Sequence, residues 1–94
     1  MGPIQTVWLD ECRKLGIVKC RNSVFGNLYY PITIDPEQLE YGRIHQLWYT
    51  TYNGARQFFR LNTNNYHVSG RMRQESPDKI QMKPPVKNNP VRSL

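Results

Sequence analysis

The chain is poor in the patterns that announce chemistry. Its six glycines are scattered, so no glycine-rich loop is available to cradle a phosphate or a dinucleotide. Its two cysteines, Cys12 and Cys20, are too few for a disulfide framework and read as buried reduced thiols, with a bridge between them left to the packing. With His45 and His67 they are enough in number for a structural zinc site. Zinc ligands, however, come as close pairs presented by one turn, and here each candidate stands alone. No metal site is expected.

Long apolar runs are missing too. Nothing approaches the roughly 20 residues that a membrane-spanning helix needs. The N-terminal stretch lacks a basic segment followed by an apolar one, and Asp10-Glu11 interrupts it, which argues against a signal or transit peptide. No Asn-x-Ser/Thr sequon occurs. These absences lead us to expect an intracellular protein without a membrane span, its place in cytoplasm, nucleus, organelle or virion left open.

Acidic residues are few, seven against thirteen Lys and Arg. Catalysis by nucleophile and base, or by two carboxylates in different environments, needs groups brought together. Asp35, Glu37 and Glu40 do cluster, but helix capping and solvation account for them. Neither cysteine has a local signature pairing it with a histidine. The expectation is a protein that is not an enzyme, with no cofactor and no small-molecule substrate.

What the chain does have is aromatic residues: two Trp, six Tyr and three Phe in 94 residues. They are densest between Ile44 and Leu61, IHQLWYTTYNGARQFFRL. Asn53-Gly54 is the strongest short-range hairpin signal, because a type I′ turn needs φ > 0 at both central residues. With those two as the loop, Trp48 pairs with Phe59 on one face, which lacks charge and reads as the core side. Tyr49 pairs with Phe58 on the other, flanked by Arg56 and Arg60 and read as solvent-facing. A slip of one residue would exchange the faces.

Upstream, Ile4, Val7, Trp8, Cys12 and Leu15 recur at helical spacing, with Gly16 at the position that ends a helix; a strand beginning at Ile4 is the competing reading. Ile17 to Arg21 and Leu28 to Ile34 read as strands joined around Gly26-Asn27. Asp35-Pro36-Glu37-Gln38 has the form of an N-cap, a first-turn proline and a capping-box glutamine, predicting a short helix to Tyr41. Asn62 to Asn65 reads as a polar turn and Tyr66 to Ser69 as a last short strand. The fold class expected is therefore α+β, mostly β: a small antiparallel sheet of about five strands with an N-terminal helix and an extended basic C-terminal tail. The division falls at residues 1–70 for the compact module and 71–94 for the tail, where four prolines break a polar sequence without apolar period.

Charge follows that division. Residues 1–70 hold seven Lys/Arg against five Asp/Glu, and residues 71–94 hold six against two. A basic segment of this kind suits a phosphate backbone, and counter-ion release favours the binding. Aromatic rings with Arg and Lys beside them suit single strands, whose bases stack on the rings. The residues expected to carry this chemistry are Tyr49, Tyr52 and Phe58 as platforms, with Arg56, Arg60, Arg71, Arg73, Lys79, Lys83, Lys87 and Arg92 on phosphates. The reading is a non-catalytic nucleic-acid-binding module, an RNA-binding or ribonucleoprotein subunit. The alternative is a structural or adaptor subunit whose tail straps onto a protein partner in a larger assembly, since Tyr, Trp and Arg are also favoured interface anchors.

Overall fold

The computed structural model describes residues 3–12, 14–45, 47–62 and 72–82. They form strands β1 (Ile4–Leu9), β2 (Leu15–Asn22), β3 (Gly26–Ile34) and β4 (Tyr41–Ile44), helix α1 (Tyr52–Asn62), strand β5 (Arg73–Glu75), a 3-10 turn at Pro77–Lys79 and strand β6 (Gln81–Met82). Among the described residues the fold is mostly β with one α-helix, and that helix is not where the sequence predicted it.

The N-terminal segment is a strand. Its residues Ile4, Thr6, Val7 and Trp8 are β-branched or aromatic and suit a pleated surface. Asp10 then turns the chain. Its carboxylate accepts the N–H groups of Lys14 at 2.8 Å and Leu15 at 3.0 Å, while its own N–H donates to the Leu15 carbonyl at 3.1 Å. The apolar positions that fitted a helical period are thereby split: Cys12 is exposed in the turn and Leu15 opens β2. Gly16 serves a close approach, not a helix end. A Cβ there would meet the Trp8 carbonyl oxygen at 2.9 Å and Leu9 Cδ2 at 3.0 Å.

The two expected strands form but are longer, β2 and β3 pairing from Leu15↔Thr33 to Asn22↔Gly26; Gly26-Asn27, expected in the connection, belongs to β3, and the turn is Ser23 to Phe25. Asn22 closes the turn by accepting N–H bonds from Val24 and Phe25 at 2.8 and 2.9 Å. Gly26, at φ 80, takes the left-handed position. The short helix expected after Asp35 does not form. Its capping chemistry does: Asp35 accepts from the N–H of Glu37 at 2.8 Å and of Gln38 at 3.2 Å. But the Asp35 and Tyr41 backbones are already bonded across the connection at 2.9 Å, so the chain re-enters the sheet before a helical turn can propagate.

The largest correction concerns the expected hairpin: Asn53-Gly54 lies in the first turn of α1. Thr51 caps it, Oγ1 accepting the Gly54 N–H at 3.0 Å and the carbonyl accepting the Ala55 N–H at 3.2 Å. Tyr52, Ala55, Phe58 and Phe59 fall on one face at helical spacing and pack on the sheet, while Asn53, Gln57, Arg60 and Leu61 are exposed. Of the expected first strand, Ile44 ends β4 opposite Ile32, and Tyr49 forms an isolated bridge with Tyr29 whose two hydrogen bonds measure 2.8 and 2.9 Å. Trp48, expected on the core side, is exposed.

The expected tail is also corrected over residues 72–82. β5 pairs antiparallel with β1, and β6 pairs parallel with β4, giving one six-stranded mixed sheet in the order β5-β1-β2-β3-β4-β6. The expected strand at Tyr66 to Ser69 and residues 83–94 lie outside the described residues. β5 and β6 are opposite edges of the sheet, yet only Ser76 to Ile80 separates them. A flat six-stranded sheet would hold its edges roughly 24 Å apart, whereas the chain from Glu75 to Gln81 reaches at most about 20 Å fully extended. The sheet must therefore curl.

Curling creates two cores. Inside lie Val7, Leu9, Val18, Cys20, Ile32, Ile34 and Ile80, the last supplied by the connection that closes the curl. On the outer face α1 covers Leu15 and Ile17 with Ala55, Phe58 and Phe59, joined by Met72. Alternate residues of β2 thus feed different cores, Val18 and Cys20 one, Leu15 and Ile17 the other.

Candidate nucleic-acid interface

The order of the strands separates charge along the sheet. Because β1 to β4 run up and down, the β1–β2 and β3–β4 turns share one end, and the β2–β3 turn lies at the other. The first end receives Asp10, Glu11, Asp35, Glu37 and Glu40, together with Lys14 and Arg43. The second receives Arg21, with Lys19 partway along β2, and the β2–β3 turn itself carries no acid; Glu75, opposite Val7 on β5, lies two strands over and one residue along from Lys19. The eight residues of β2 hold the two ends roughly 25 Å apart. Arg21, about 20 Å from the acidic turns, is more than two Debye lengths from them at physiological salt, whereas Lys19 is about 13 Å away.

Cross-strand pairing fixes which way Lys19 and Arg21 point. Their partners are Tyr29 and Asn27, so all four project from the outer face, Tyr29 against the core under α1 and Arg21 and Asn27 exposed. Lys19 Nζ sits 6.0 Å from the centroid of the Tyr29 ring, a cation–π arrangement. Tyr29 is itself 6.0 Å from Trp8, and Trp8 is 4.9 Å from Tyr52. A row of half-buried rings therefore leads from the start of α1 to the basic end.

Past that row two rings stand in solvent. Phe25, in the β2–β3 turn, stacks on Trp48, in the segment before α1, with centroids 5.3 Å apart and planes at 28°. Phe25 is 59% exposed and Trp48 45%, with Val24 beside them in the turn and more exposed still. Neither ring belongs to either core.

The sequence-predicted residues are dispersed. Phe58 is 6% exposed and packs into the outer core, so it is not a stacking platform. Tyr49 and Tyr52 are half-buried and support the same core. Arg56 and Arg60 occupy successive turns of α1, the first half-buried and the second exposed. Arg73 is exposed on edge strand β5, and Lys79 is exposed in the 3-10 turn. Arg71, Lys83, Lys87 and Arg92 lie outside the described residues. The residues that sequence reasoning overlooked are Phe25 and Trp48. A signal for Phe25 was there: Val-Phe is out of place in the polar turn between two strands, where burial has nothing to offer it.

The titratable groups are otherwise accounted for by packing. His45 lies between β3 and α1, its Nε2 hydrogen-bonded to Thr33 Oγ1 and its ring 4.9 Å from Phe58 and 6.3 Å from Phe59. Burial holds its pKa below the ordinary value. Both cysteines are free: Cys20 is buried in the inner core, which pushes its thiol pKa up, whereas Cys12, expected to be buried, is exposed in the β1–β2 turn. His67 lies outside the described residues. Among the described residues no three His, Cys, Asp or Glu side chains gather as a metal site would require, and no helix is long and apolar enough to cross a membrane. Comparison of the chain with protein-family models, with curated proteins and with solved structures finds no match.

Proposed function

We propose that this chain is a non-catalytic nucleic-acid-binding module, working as an RNA-binding or ribonucleoprotein subunit. The observation that carries the reading is the joining of exposed aromatic rings with Lys19 and Arg21 beside the β2–β3 turn, which holds no acid. Cations beside stacked rings match the two chemistries a nucleic acid offers, phosphate charge and flat base faces. The composition beyond the sheet supports it: after Asp78 the chain contains Lys79, Lys83, Lys87 and Arg92 and no further acid.

The test is binding of the full chain to RNA over a range of salt. Neutralising about four phosphates on a single strand gives a slope of log K against log salt near −3. A flat salt response, or a particle in which the protein stays bound after nuclease, would instead favour the adaptor reading. In that case the exposed Val24, Phe25 and Trp48 patch is a protein interface.

A further inference from the structure

We propose that the β2–β3 end takes unpaired nucleotides of a single strand, with a base stacked on the Phe25–Trp48 pair and Lys19 and Arg21 on neighbouring phosphates. This rests on the nucleic-acid reading above and names its ligand and its site. The two rings come from separate segments and are already nearly parallel, at 28° and 5.3 Å between centroids. They contribute to neither core, so each keeps apolar surface in water that folding does not use. A base laid on the outer face of the pair continues the stack without opening it and removes that surface from solvent.

Charge and shape select the occupant. Lys19 and Arg21 alternate along β2 and so project from the same face about 7 Å apart, far enough to engage separate phosphates. The acidic turns lie about 20 Å from Arg21, more than two Debye lengths at physiological salt, and about 13 Å from Lys19. Duplex is disfavoured because its base faces are covered by their neighbours and the A-form major groove is too deep and narrow for a two-ring knob. A single strand presents both a free base face and a backbone on either side of it.

The experiment compares the full chain with Phe25→Leu and Trp48→Leu, which keep bulk and lose the ring. The probes are a labelled oligouridine of about twelve nucleotides and an RNA duplex of equal length. Both positions are exposed, and circular dichroism with a melting curve checks that the fold is intact. The parent protein should bind the single strand more tightly than the duplex. Each variant should weaken single-strand binding about tenfold while leaving duplex affinity and the salt slope unchanged. In a Trp8→Phe background the remaining tryptophan, Trp48, should be quenched on adding oligouridine.

Unchanged single-strand affinity in the variants, or no quenching, with salt-dependent RNA binding intact, would overturn this site and leave the function standing. No binding of either probe at low salt would overturn both.

Discussion

Thr51 and Gly54 meet across the first turn of α1, where the Thr51 hydroxyl accepts the Gly54 N–H at 3.0 Å. The contact leaves little room. A Cβ on Gly54 would lie 3.0 Å from that hydroxyl and 3.2 Å from Tyr49 Cδ2. Glycine is therefore present for the close approach of the cap, not for a hairpin turn. Loss of the cap should destabilise the protein by about 1 kcal/mol in Thr51→Ala, with Thr51→Ser near the parent. Chemical denaturation reads the difference directly. An unchanged midpoint in Thr51→Ala would mean that the helix does not depend on this bond.

Gly42 is a second site of close approach, in the inner core. A Cβ there would stand 2.9 Å from Ile32 Cδ1 and 3.3 Å from Ile80 Cγ2. Gly42→Ala should overpack the curl and cost about 1–3 kcal/mol. Ile32→Val removes the crowding Cδ1 atom, so the double variant should recover part of the loss. A double-mutant cycle measures the coupling, and strict additivity of the two changes would disprove the contact.

Burial lowers the pKa of His45 from 6.5. The unfolded chain then binds the proton more readily than the native one, so stability rises with pH through the window between the native value and 6.5 and falls as pH drops through it. His45→Gln, which cannot titrate, should show a weaker loss between neutral pH and about pH 5 than the parent. The carboxylates titrate in both proteins and cancel in the comparison. Parallel curves of denaturation midpoint against pH would show that His45 does not supply the dependence.

The two cysteines should differ in reactivity. Cys12 is exposed in the β1–β2 turn, while Cys20 is 2% exposed in the inner core with its thiol pKa raised. An alkylating reagent attacks the thiolate, so the native protein should take one equivalent, at Cys12, and a second only on unfolding. Rapid modification of both sites, followed by peptide mass mapping, would show that the inner core opens readily.

The β2 and β3 strands were legible in the sequence because their apolar runs agree with the fold, although the turn between them falls at Ser23 to Phe25 and not at Gly26-Asn27. So was the local chemistry of Asp35, whose carboxylate caps two N–H groups whether or not a helix follows. The expectations that failed did so where one short pattern served two structures. Ile4, Val7 and Trp8 satisfy a helical period, and Asn53-Gly54 satisfies a hairpin turn. The structures adopted were chosen by partners distant in sequence: β1 is held between β2 and β5, and Phe58 and Phe59 reach the outer face of the sheet.

By itself the sequence determined composition, charge, a mainly β body and the chemistry on offer, aromatic rings with lysine and arginine. Only the tertiary structure decided where that chemistry sits. Pairing β5 with β1 and β6 with β4 joins the two edges through five residues and curls the sheet, which buries Ile80 from a segment that reads as tail. The same up-and-down order gathers the acidic turns at one end and leaves Phe25, Trp48, Lys19 and Arg21 at the other. No local window contains that arrangement, because it arises from which strands become neighbours and which ends they share.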